Sequence, residues 1–77
     1  MDRAELKAKI AHILRYDCYG KELTFNDLPD GGLEVNLNCF AITSTAAGQI
    51  ATLAGEANRG CVFTIADIKN PTLQIRF

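Results

Sequence analysis

Few residues in this chain have the means to do chemistry, and they are scattered. His12 is the only histidine, and the three cysteines are Cys18, Cys39 and Cys61. Nucleophilic catalysis needs a base beside the nucleophile. Cys18 stands six residues after His12, on the wrong side of the same helix. Ser44 and the other cysteines could approach His12 only through the fold. A surface histidine on the polar flank of a helix is the expectation. No two of His12, Cys18, Cys39 and Cys61 have the local spacing of metal ligands, so neither a metal site nor a cofactor is expected.

The run "TSTAAG", residues 43–48, is a hydroxyl-rich helix start. Free N–H groups and the helix dipole could hold a phosphate there. No phosphate-loop or dinucleotide glycine pattern accompanies it, and helix capping by Thr43, Ser44 or Thr45 is the simpler reading. The carboxylates Asp17, Glu22, Asp27, Asp30, Glu34, Glu56 and Asp67 are spread along the chain. Glu22 and Glu34 could be neighbours across two strands. Acid–base work would require burial to shift such a pair, and an open sheet face provides none. No catalytic residue is therefore assigned, and an enzyme is not expected.

The three cysteines lack CxxC spacing and are odd in number, which argues against a disulfide framework. Free thiols in a reducing compartment are expected. Asp2, Arg3, Glu5, Lys7 and Lys9 interrupt any leader-like segment, and no apolar run is long enough to span a membrane. A cytoplasmic location follows as the expectation.

The elements that must carry these residues are legible from periodicity. Asp2 caps a first helix, with Glu5 three residues on. Leu6, Ile10, Ile13 and Leu14 form its apolar stripe, and Gly20 ends it after Tyr19. Residues 21–27 and 33–39 alternate apolar and polar residues, as strands with one dry face do. Pro29, Asp30, Gly31 and Gly32 form the turn between them. Residues 43–58 read as a second helix, with Ile50, Leu53, Ala54 and Ala57 inward and Gly60 as the stop. A second hairpin takes the rest, turning at Asn70-Pro71.

"FNDLPDGGLEV", from Phe25, and "IADIKNPTLQI", from Ile65, align without a gap at an offset of 40. Ile10 meets Ile50, Gly20 meets Gly60, Thr24 meets Thr64, Asp27 meets Asp67 and Leu33 meets Leu73. Shared periods explain the apolar matches. The paired glycines and aspartates favour duplication, with pseudo-repeats 1–40 and 41–77. Asp27 and Asp67 are expected to start turns by bonding the backbone of their own hairpins.

At 77 residues the chain is expected to form a single domain. The expected class is α+β, a two-layer sandwich in the order αββαββ. Its four-stranded antiparallel sheet carries both helices on one face. That face holds Leu23, Phe25, Leu33, Val35, Leu37, Phe63, Ile65, Leu73, Ile75 and Phe77. The opposite face is polar, with Val62 and Ala66 as its apolar exceptions.

A net charge of −1 argues against nucleic acid as the main partner. The polar sheet face also offers no aromatic platform for bases. The leading expectation is a small non-enzymatic interaction domain, an adaptor or inhibitor, that binds a protein partner or its own copy. Tyr16, Tyr19 and Phe40 are the candidate contact aromatics. Gly48 and Gly55 thin one flank of the second helix. Gln74 and Arg76 lie on the last strand, which would be open to pairing if it stood at an edge. The alternative is a nucleic-acid or nucleotide binder using the basic residues of the first helix or the helix start at Thr43, Ser44 and Thr45.

Overall fold

The elements run α1 (Arg3–Ile13), β1 (Thr24–Asp27), β2 (Leu33–Asn36), α2 (Ser44–Glu56), β3 (Val62–Ile65) and β4 (Leu73–Arg76). The computed structural model describes residues 1–17, 23–39, 41–65, 69 and 72–77. The strands form one antiparallel sheet in the order β1-β2-β4-β3, so the class is α+β in the order αββαββ.

α1 begins as its sequence predicts. The Asp2 carboxylate accepts the Glu5 N–H at 2.7 Å, satisfying one of the free donors of the first turn. The helix ends at Ile13, well short of Tyr19. Beyond it the chain turns, with the Asp17 N–H donating to the Leu14 carbonyl at 3.0 Å. From this turn the Asp17 carboxylate accepts the Thr43 N–H at 3.0 Å, a bond to the start of α2. The predicted stop at Gly20 lies outside the described residues. α2 is capped by Thr43, whose hydroxyl accepts the Ala46 N–H. It ends at Glu56 with Ala57 as its C-cap, and Asn58 takes the left-handed φ of 57° in the place where Gly60 was expected to stop the helix. Asparagine tolerates that conformation better than most residues.

The first hairpin turns as expected. Gly31 has φ 87°, and the Asp30 carboxylate accepts the Gly32 N–H at 2.9 Å. A Cβ on Gly32 would stand 2.9 Å from the Phe77 carbonyl oxygen, so the turn packs against the chain end only without a side chain there. Asp27 does not start this turn. Its carboxylate meets Arg3 at 3.0 Å and Lys7 at 3.8 Å, binding α1 to the edge of the sheet, and Asp30 does the turn's work instead. Asp67 and the Asn70-Pro71 turn lie outside the described residues.

The core joins both halves. Leu6, Ile10 and Leu14 of the first helix segment, Ala46, Ile50, Leu53 and Ala54 of α2, and Leu33, Val35, Leu37 and Ile75 of the sheet are buried. The buried helix positions correspond at the offset of 40: Leu6 with Ala46, Ile10 with Ile50, Leu14 with Ala54. The central strands obey the same relation, since Val35 pairs with Ile75. The second hairpin departs from it. Phe25 pairs with Val35 in the first, and Phe63, not Ile65, pairs with Ile75 in the second. A slip of two residues keeps every side chain on its own face, so the alternation is preserved while the gap-free correspondence is lost. The two halves share their pattern of buried helix positions, and the slip breaks the gap-free correspondence in the second hairpin.

Candidate interaction surface

Two expectations about the sheet require correction. The last strand, β4, is interior and lies between β2 and β3. Gln74 and Arg76 therefore do not sit on an open edge. The Gln74 side-chain amide donates to Asn36 Oδ1 at 2.7 Å, and Arg76 reaches the Glu34 carboxylate at 3.0 Å. These bonds tie the polar face of β4 to β2. The edges are β1 and β3.

The second correction concerns Phe63 and Ile65. Both lie in the rows of core-facing residues, opposite Ile75 and Leu73. They are nevertheless 40% and 53% exposed, and Val62 on the other face is 57% exposed. The two edges differ in what reaches them. Arg3 and Lys7 of α1 reach β1: both meet Asp27, and the Lys7 ammonium stands 5.9 Å from the centre of the Phe25 ring. Forty positions on stand Thr43, the cap of α2, and Ala47 in its first turn, both short and uncharged. Thus β1 is shielded and charged, while among the described residues β3 carries no charge and leaves Val62, Phe63 and Ile65 exposed.

The ladder shows which backbone groups of β3 are free. Leu33 and Phe77 exchange both of their backbone hydrogen bonds, which makes them a hydrogen-bonded pair. Antiparallel ladders alternate such pairs along the strand. Leu73, Ile75 and Phe77 therefore direct their backbone groups to β2, and Gln74 and Arg76 direct theirs to β3. Their partners Thr64 and Val62 are satisfied on that side. The N–H and C=O groups of Phe63 and Ile65 point away from the sheet.

A second surface lies between the helices. An open groove of about 1190 Å³ is lined by His12, Ile13, Tyr16, Thr45, Gly48 and Thr52, among others. Tyr16 is 84% exposed, and the Arg15 guanidinium lies 4.8 Å from its ring centre. A Cβ added at Gly48 or Gly55 would meet nothing within 4 Å, so that flank of α2 is as thin as its sequence predicts. Tyr19 and Phe40 lie outside the described residues. Glu5, Lys9, Arg15, Asp17 and Glu56 give the groove charges of both signs.

The residues of the nucleotide alternative have partners inside the fold. Arg3 donates to the carbonyls of Gly31 and Gly32, and Lys9 meets Glu5 at 3.5 Å. The Thr43 hydroxyl is used as a cap, and the Asp17 carboxylate already sits on the Thr43 N–H. That carboxylate repels an incoming anion.

The cysteines differ from expectation. Cys39 is disulfide-bonded, whereas Cys61 keeps a free, half-buried thiol. Sequence separation says nothing about whether two cysteines come within bonding distance, which is why spacing misjudged Cys39. Burial pushes the Cys61 thiol above its ordinary pKa of 9.0. Among the described residues, no group of three His, Cys, Asp or Glu side chains could hold a metal ion, and no helix is long and apolar enough to cross a membrane.

The sequence carried one sign of this edge: the strand itself, "VFTI", holds no charge, whereas "TFND" includes Asp27. No family model, curated protein or solved structure matches this chain.

Proposed function

We propose that this chain is a small protein–protein interaction domain of the adaptor or inhibitor kind, not an enzyme, and that β3 is its working surface. One observation carries the reading: an edge strand with Val62, Phe63 and Ile65 exposed and no charge to blunt it. Exposed edges in soluble proteins are usually protected by charge, proline or a covering element. The other edge of this same sheet is protected in that way by Asp27, Arg3 and Lys7. An unprotected edge offers main-chain hydrogen bonds for affinity and side-chain contacts for selectivity, which is how sheet-edge recognition works.

The internal partners of Arg3, Lys9 and Thr43 weigh against the nucleic-acid and nucleotide alternative. The expected cytoplasmic location followed from the interrupted leader-like segment and the lack of a long apolar run, with free thiols as a companion expectation. A bridged Cys39 favours an oxidising compartment instead.

Affinity capture with the tagged whole chain tests the reading. Wild type and Ile65→Lys should differ in what they retain, with the variant losing the specific partner. Gly48→Ala, a change in the groove, should retain it. Identical capture by wild type and Ile65→Lys would overturn the assignment to β3.

A further inference from the structure

We infer that the occupant of the β3 edge is a second copy of this chain, paired antiparallel through β3 about a two-fold axis normal to the sheet. This rests on the surface reading above and adds the identity of the partner and the geometry of contact.

The geometry is restrictive. Two copies of one edge strand related by a two-fold axis can pair antiparallel only when the axis is perpendicular to the sheet. The helices of both copies then lie on the same side. Phe63 and Ile65 direct their free N–H and C=O groups outward, so they become the hydrogen-bonded positions of the new ladder. Registers centred on Phe63 or on Thr64 both satisfy this. In the first, Phe63 faces Phe63 of the copy. In the second, each Phe63 faces an Ile65. Either way, the exposed apolar side chains of β3 cover one another across the axis, and such cross-strand pairs are a main source of sheet stability.

Charge permits the contact with a copy. Residues 61–65 contain no ionisable side chain except the Cys61 thiol, so pairing through the strand itself sets no like charges opposite one another. The corresponding pairing of β1 would set Asp27 near its own copy, together with the Arg3 and Lys7 side chains that shield it. Isologous contact of this kind closes on itself and ends at a dimer. The shielded β1 edges would then be the outer edges of the joined sheet, which stops further growth.

The dimer should be weak. A strand of four residues covers less than the roughly 800 Å² per partner of a stable interface. Association should therefore depend on concentration.

Sedimentation equilibrium of the whole chain up to millimolar concentration tests the inference. The apparent mass should climb from 8.4 kDa toward twice that value. Ile65→Lys should raise the dissociation constant by about tenfold or more, because it removes apolar burial and sets two ammonium groups near the axis. Amide resonances of the wild type give a readout that needs no variant. Those of Phe63 and Ile65 should shift with concentration more than those of Lys7 or Gly31. A monomer throughout overturns the inference. So does a dimer whose concentration-dependent shifts fall on the helix groove instead. If the chain is monomeric and Ile65→Lys still loses its captured partner, the edge serves a different protein and only the second-copy inference fails. If the chain is monomeric and capture is unchanged, both readings fail.

Discussion

Val35 and Ile75 stand directly opposite one another across the ladder between β2 and β4, and they are 40 positions apart in the chain. Both are fully buried. The two halves of the molecule therefore meet at equivalent residues, with their helices above the same sheet. Neither half covers its own apolar face, because Ile10, Ile50, Val35 and Ile75 belong to one core.

That shared core predicts joint unfolding. Ile75→Ala should cost about 2–4 kcal/mol, as a buried isoleucine truncated to alanine does. The loss should appear in a single denaturation transition followed by circular dichroism. Two transitions, one for each half, would show that the halves fold separately.

Arg3 ties the N-terminal turn of α1 to the first hairpin through the Gly31 and Gly32 carbonyls and through Asp27. Arg3→Ala should cost about 1 kcal/mol. Asp27→Asn should cost less, within about 0.5 kcal/mol, since it weakens only an exposed ion pair. Urea midpoints at low and high salt separate the two effects. Asp27→Asn matching or exceeding Arg3→Ala would mean that the ion pair, not the carbonyl bonds, holds the helix there.

Alkylation without reductant should modify Cys61 and spare Cys39, because Cys39 is bridged. Reduction should expose Cys39. Mass spectrometry reads the modified sites, and modification of Cys39 before reduction would contradict the bridge.

Burial holds the Cys61 thiol above its ordinary pKa of 9.0, which fixes a pH dependence. Below that value the thiol is neutral in both the folded and unfolded chain and contributes no slope. As pH rises past 9.0, the unfolded chain ionises first. Stability should then fall until the folded thiol ionises as well. The fall should be smaller in Cys61→Ser, measured by urea denaturation across alkaline pH. Equal slopes in the two proteins would remove Cys61 as the cause.

Much of this fold was legible in the chain because local physics wrote it there. The spacing of Leu6, Ile10 and Leu14 placed α1, and the alternation of Leu33, Val35 and Leu37 placed β2. Gly31 marked the turn. What was not legible depended on partners distant in sequence. Strand order decides that β4 is interior, and neither Gln74 nor Arg76 reveals that locally. The end of α1 at Ile13 follows from Asp17 reaching Thr43 across the fold. Parity correctly assigned Phe63 and Ile65 to the helix-side face. It could not tell that they would stay 40% and 53% exposed, because exposure at an edge strand depends on what packs beside it from elsewhere in the chain.

The most direct measurement is amide hydrogen exchange along β3 in dilute solution, where association is minimal. Val62 and Thr64, bonded to β4, should be protected. Phe63 and Ile65, between and beside them, should exchange fast. Protection of all four amides in the dilute monomer would contradict an open edge at β3, and with it the surface on which the proposed function stands.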